Sequence, residues 1–336
     1  MHNHLSTLAT TIPEMSRPPN ASHPVRGYLY IAAATFFWGV SATLGRAAFT
    51  GRLLPGGKAL GPIDPLILAQ SRTTFSFFAF LLLLVPRRGW RQLGVSAADF
   101  GRLLLLGVLG LAASNYFYYL AIQKTNVATA IIVQYTAPVW VLTFMVARGL
   151  QKPTLPRIVA VALALTGIGM VIGIFGSGGL RLNMTGVIAA LIAAVSYAFY
   201  NIAGHGLLER YQRGTVLLYA TFSAALFWIC VNPPSNIIAA NYSWQQWVFL
   251  ATFSIVSMLV PFSFYFAGLQ LLEPTRAVIV SCLEPVFSIL IAAVVLGEGV
   301  HRLQMVGVLM VLAAIVVVQL PDKKQGTAMP PLEPID

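Results

Sequence analysis

The sequence predicts an all-α membrane protein of ten transmembrane helices in two inverted five-helix repeats. Three observations carry this prediction. Only 9% of the 336 residues are charged and 57% are hydrophobic, whereas a soluble domain carries about 25% charged residues to face water. The chain holds many apolar runs of roughly 18 or more residues, long enough to cross about 30 Å of hydrocarbon as helices. Finally, a stretch of the first half aligns without a gap on a stretch of the second.

The spans fall at 27–48, 65–85, 101–122, 127–147, 157–175, 184–206, 215–231, 246–269, 275–296 and 302–320. Glycines punctuate many of them, as expected where helices approach closely in lipid. The first span follows a polar tail, residues 1–26, rich in Pro, Ser, Asn and His. That tail reads as disordered and lacks the short apolar core of a cleaved signal peptide. The second span follows "LLPGGKALGP" and is followed by the connection 86–100. These are the two long connections, and neither can house a soluble catalytic domain. The remaining spans succeed one another across short loops, and residues 321–336 form a second tail. The expected organisation is thus 27–175 as one repeat and 184–320 as the other.

Lys and Arg in the loops set orientation. With the N-terminus cytoplasmic, fourteen basic residues fall on the side of the termini and six on the other. Both termini are therefore expected inside. The net charge of +11 reflects this loop distribution and does not mark a nucleic-acid partner.

The repeat shows in "NYFYYLAIQKTNVATAIIVQYTAPV" (115–139) set over "FSFYFAGLQLLEPTRAVIVSCLEPV" (262–286), at one offset of 147 (262 − 115 and 286 − 139). Phe117 and Tyr118 fall on Phe264 and Tyr265, Gln123 on Gln270, and Pro138 on Pro285. A second register, offset 159, lays Trp38 on Tyr197 (197 − 38). Aliphatic matches come cheaply between apolar segments; the polar, aromatic and proline matches do not. Five spans per copy, an odd number, invert the second copy relative to the first, which is the architecture of alternating access around a mid-membrane site.

Ten spans in a five-plus-five duplication, "FFWGVSATLGR" in the first span, an Arg in "LAQSRTTFSFF" and "LEPVFSILIAAVVLGE" in the ninth together resemble the EamA-type drug/metabolite transporter superfamily. The similarity covers about residues 27–320. It departs from the pattern where the first-half counterpart of "LEPV" is "TAPV" and that of "LGE" is "GLQ", both without the acid. The resemblance implies secondary transport of small organic solutes, often export of amino acids or drug-like cations.

Glu284 lies about ten residues into its span, at mid-depth, where a charge costs at least ~2.5 kcal/mol. It is either a cavity carboxylate that takes a proton or a substrate ammonium, or a structural acid bonded to backbone freed by Pro285. Pro138 and Pro285 each remove a backbone donor, and their matched positions make them, with Gly39, the expected kink or gating residues. Gln134 and Ser281 lie four residues before these prolines, on the same helical face, and are expected to line a cavity. Arg72 either draws a substrate carboxylate or serves the fold, by pairing with Glu284 or capping carbonyls; the second role takes precedence. Trp38, Tyr197, Tyr200 and Asn201 are expected cavity residues, since aromatic rings with polar tips suit organic solutes and cations. The clusters "NYFYYL" and "FSFYF" read as packing, with Tyr118 and Tyr265 as the exceptions that could face a cavity.

The expected function is export of amino acids, aromatic ones included, or similar small metabolites across the bacterial inner membrane by alternating access. One acid and one base suit a zwitterion; a drug or organic-cation exporter of the same fold is the alternative. A channel-like facilitator is a further class. An intramembrane enzyme would need clustered nucleophiles, bases or metal ligands, and the histidines at 2, 4, 23, 205 and 301 do not cluster. No catalytic residue, metal site or cofactor is expected. With no G-x-x-x-x-G-K-[ST] loop in the sequence, ATP is not an expected partner. The partners are the solute and membrane lipid, with a monomer as the simplest state.

Overall fold

Backbone amides in hydrocarbon have no water to bond, so a spanning segment must satisfy them internally. The computed structural model does so with helices throughout; it describes residues 24–49, 60–61, 63–174, 183–297 and 299–320, and no strand occurs among them. The helices are α1 (Pro24–Gly45), α2 (Leu66–Gly89), α3 (Ala97–Lys124), α4 (Val127–Ala147), α5 (Leu155–Ile172), α6 (Met184–Leu208), α7 (Arg213–Val231), α8 (Trp244–Leu269) and α9 (Pro274–Val295), followed by the shorter apolar α10 (Arg302–Val318). The first nine are long and apolar enough to cross a membrane, and the protein is a multi-pass membrane protein. Both expected tails, apart from residues 24–26, as well as Glu298 and most of "LLPGGKALGP", lie outside the described residues.

Polar caps fix several helix starts. Ser96 accepts from the Asp99 amide at the start of α3, and Ser243 and Gln246 form a capping box on α8, each satisfying amides that have no partner within the helix.

The two halves interlock. α1 packs on α8 and α9, while α6 packs on α3 and α4, the same pairing with the halves exchanged; α2–α7 and α5–α10 pair across the centre. Small residues permit the closest crossings. A Cβ built on Gly167 of α5 would sit 2.8 Å from the Gly307 carbonyl oxygen of α10, and one on Gly307 would sit 2.5 Å from that of Gly167.

Four irregular turns are placed with the same symmetry. α4 breaks between Gln134 and Ala137, and α9 breaks at Cys282 between Ser281 and Leu283. Tyr135 and Cys282 are 147 apart (282 − 135), and each break comes three residues before its proline. The prolines therefore sit in the first turn of a restarted helix, where a missing N–H costs least. Gly39 behaves differently from expectation: α1 runs unbroken through it. Its hydrogen side chain lets α9 approach, since a Cβ there would lie 2.8 Å from Phe287 Cβ and 2.9 Å from the Ser288 nitrogen. The other two irregularities are π-helical turns, Leu106–Ala112 in α3 and Ile255–Leu259 in α8. They too end 147 apart (259 − 112). A Cβ on Gly107 in the first would collide with Ser223 Oγ and the Ala220 carbonyl oxygen, so glycine lets α3 bulge against α7.

Candidate functional site

The breaks in α4 and α9 turn their polar residues towards one cavity of about 720 Å³, lined by both halves. That lies within the roughly 300–1,000 Å³ typical of small-molecule sites. Trp38, Arg72, Gln134, Pro138, Tyr197, Tyr200, Ser281, Glu284 and Pro285 all contribute to its wall. So do Asn115, Tyr118, Tyr119 and Tyr135.

Glu284 is partly exposed and belongs to the first turn of the restarted half of α9. A helix N-terminus favours negative charge there. The Tyr135 hydroxyl, from the break in α4, donates to Glu284 Oε2 at 2.9 Å. This bond joins the two halves across the cavity. The position matching Glu284 in the first half is Ala137 (284 − 147), so the two-fold site carries its acid on one side.

Arg72 does not pair with Glu284. Its Nη2 donates to the Ser257 carbonyl oxygen at 3.0 Å and its Nη1 to the Tyr119 hydroxyl at 3.3 Å. Its guanidinium carbon lies 5.7 Å from the centre of the Phe253 ring. Ser257 is in the π-helical turn of α8, where the ladder of carbonyls is disturbed. Arg72 of α2 thus caps a carbonyl of the opposite half.

The aromatic residues form one connected wall. Trp38 contacts Phe262 and Tyr265 at centroid distances of 5.3 and 5.4 Å, and Tyr200 contacts Phe266 at 5.2 Å. Tyr200 is only 1% exposed and forms the back of the wall. Asn201 departs from expectation: it is fully buried and outside the lining. Its Nδ2 donates to the Tyr197 carbonyl oxygen, and it accepts from the Tyr265 hydroxyl. A helix turns about 100° per residue, which carries Asn201 behind the rings of its neighbours.

The cavity is asymmetric in depth. Its lining reaches Val127 and Ala128 at the start of α4, Ile172 at the end of α5 and Gln304 at the start of α10. These ends lie on the far face, opposite the face where α1 begins and α10 ends. On that near face the halves are tied together. Glu273 Oε2 accepts from Arg157 Nη2 at 3.2 Å and from Gln151 Nε2 at 3.1 Å, and Thr275 Oγ1 donates to Gln151 Oε1 at 2.7 Å. Arg157 is 7% exposed. The repeat counterparts of Thr275 and Arg157 are Ala128 and Gln304 (275 − 147, 157 + 147). Positions that join the halves on the near face therefore have counterparts that line the cavity towards the far face.

Sequence reasoning missed Tyr135, Tyr119 and the Glu273 cluster. "TAPV" drew attention to the proline, and the tyrosine three residues earlier marks the break itself. Tyr119 was submerged in the cluster read as packing, and Glu273 stands at a span end, where an acid is ordinary.

The EamA-like transporter family profile matches this chain over residues 25–173 and again over 184–320. The uncharacterized inner membrane transporter YicL of Salmonella typhimurium is 23% identical over 228 residues, 67% of this chain and 75% of that protein. The threonine/homoserine exporter RhtA of Escherichia coli is 25% identical over 267 residues, 78% of this chain and 85% of that protein. A crystal structure of another protein, 18% identical, superposes with a TM-score of 0.70 over 90% of this chain and 99% of its own.

Proposed function

The chain belongs to the EamA-like transporter family, and from that premise we propose that it exports amino acids or similar small metabolites by alternating access. The membrane is the bacterial inner membrane, with both termini in the cytoplasm; the excess of Lys and Arg on that side supports this placement. The near face is then cytoplasmic and the cavity opens outward.

The observation that carries the mechanism is the unequal state of symmetry-related positions. Arg157 and Thr275 are joined through Glu273 and Gln151 on the near face, while their counterparts Gln304 and Ala128 line the open cavity. Two inverted copies in different local arrangements exchange roles when the protein switches faces. The breaks ahead of Pro138 and Pro285 supply hinges for that exchange, since each restarted helix is free of a continuous hydrogen-bond ladder.

Amino acids are favoured as cargo because relatives at about 25% identity are named as threonine/homoserine exporters. Large anions are disfavoured, as Arg72 is the one Lys or Arg in the lining among the described residues. The test is counterflow of radiolabelled threonine, homoserine and aromatic amino acids into proteoliposomes. Saturable uptake stimulated by internal substrate supports the carrier. Absence of uptake for every amino acid removes the reading, and non-saturable flux marks a channel.

A further inference from the structure

We infer that the bodies that move against each other are not the two sequence halves. Each body is built from both halves: α1 and α2 with α8 and α9, and α6 and α7 with α3 and α4. This rests on the proposed alternating access and names what stays rigid during it.

In an inverted repeat, the second state is the first with the halves exchanged. A contact whose repeat counterpart is already formed maps onto a formed contact, and so survives the switch. A contact whose counterpart is open has to break. The first kind marks a rigid body; the second kind marks the interface that moves.

Three contacts of the first kind run from one face to the other. On the far face the Asp64 amide donates to the Tyr242 hydroxyl at 2.9 Å. On the near face the Ser96 amide donates to the Tyr211 hydroxyl at 3.2 Å, and that hydroxyl donates to Asp99 Oδ2 at 2.9 Å. Asp64 and Tyr211 are repeat counterparts (211 − 64 = 147), and Ser96 matches Ser243, the neighbour of Tyr242 (243 − 96 = 147). At mid-depth Ser76 Oγ of α2 donates to the Ser254 carbonyl oxygen of α8 at 3.4 Å. Its counterpart is the packing of Ser223 of α7 (76 + 147) on Gly107 of α3 (254 − 147) at the π-helical turn. Finally, a Cβ on Gly27 of α1 would lie 2.7 Å from Leu272 Cγ, and one on Gly186 of α6 would lie 2.5 Å from Thr125 Cγ2. These too are counterparts (186 − 27 = 159, 272 − 125 = 147). In every case the first half touches the second, and the exchanged contact is formed as well.

Ties between the α4 side and the α9 side are one-sided. Glu273 and Thr275 bond Arg157 and Gln151, while Ala128 and Gln304, the counterparts of Thr275 and Arg157, line the cavity. The Tyr135–Glu284 bond has Cys282 and Ala137 as counterparts (135 + 147, 284 − 147), and alanine has no side-chain acceptor.

Cysteine pairs joined by a short bis-maleimide test this by amino-acid counterflow in proteoliposomes, with Cys230 and Cys282 replaced and each pair assayed before and after linking. Arg102→Cys with Arg210→Cys joins the two halves within one body. Both native side chains reach Asp99 Oδ1, at 2.7 and 3.3 Å, and both are exposed. Gly61→Cys with Gln245→Cys does the same on the far face of the other body, and either pair suffices if the other does not fold. Lys152→Cys with Glu273→Cys spans the two bodies, at positions that Arg157 bridges. Links within a body should leave uptake within about twofold of the unlinked protein, and the link between bodies should lower it at least roughly tenfold, as expected for rigid-body motion. Loss of uptake on linking Arg102→Cys to Arg210→Cys, which halves moving as units require, overturns the inference. So does full uptake with Lys152→Cys linked to Glu273→Cys. Either result leaves the transporter reading intact, because the unlinked protein transports. Unlinked protein that takes up no amino acid removes the inference together with its premise.

Discussion

The Tyr135 hydroxyl donates to Glu284 Oε2 at 2.9 Å, linking a helix break in the first half to the acid beside the matching break in the second. An acid and a proline inside an apolar run make sense in this setting. The acid lines a cavity between the two halves, and the proline begins a new helix rather than interrupting one.

If Glu284 carries the proton in transport, Glu284→Gln removes the pH dependence of uptake and leaves the fold intact. Initial rates in proteoliposomes with and without a pH gradient provide the measurement. A pH profile identical to wild type rules out the proton role. Tyr135→Phe removes only the donated bond and should lower stability by about 0.6 kcal/mol, the average for such bonds between membrane helices.

The Glu273 cluster joins the halves on the near face, so under the proposed alternating access Glu273→Gln should shift the protein towards opening there. Glu273 is partly exposed (side-chain exposure 42%), which discounts the ion pair with Arg157 to about 1 kcal/mol, roughly a fivefold change in the equilibrium. Labelling of an engineered cysteine at Gln134 from the near face should rise accordingly. An unchanged labelling rate means that other contacts keep the face shut.

Gly39→Ala should destabilise the protein by about 1–3 kcal/mol, because the added methyl overpacks the α1–α9 crossing. Gly45→Ala, on the same helix, is the control: its Cβ would have 3.7 Å to the nearest atom, a carbon of Phe253. Thermal transitions in detergent should separate the two variants. Equal stability would show that α1 and α9 can move apart at no cost.

Pro138→Ala and Pro285→Ala restore an N–H to the restarted helices. Both should keep or raise thermal stability while slowing transport, since a continuous ladder opposes bending at the breaks. Wild-type uptake rates in both variants would show that the breaks are not hinges.

Span positions were legible in the sequence because the apolar runs are long and end at polar or basic residues. Met184 begins the sixth helix where expected, and the ninth ends at Val295, one residue short of the expected 296. The offset of 147 also pairs Gln134 with Ser281, and both line the cavity. The π-helical turns were not legible, because Gly107 looks like any packing glycine until Ala220 and Ser223 are seen opposite it. Asn201 was misplaced for a related reason: polarity in a span marks a need for a partner, and Tyr197 and Tyr265 supply one inside the protein. Arg72 was legible as a carbonyl cap, although only the fold identifies the carbonyl as Ser257.

The central claim is that two inverted halves enclose a chamber at Glu284 that opens to one face at a time. The most direct measurement is labelling of Ser288→Cys, in a background with Cys230 and Cys282 replaced, by a membrane-impermeant maleimide applied separately to each face of oriented vesicles. The account predicts labelling from the far face, protection by a bound substrate, and added labelling from the near face when Glu273→Gln is introduced. Labelling by lipid-soluble reagents alone, from neither aqueous face, would contradict it.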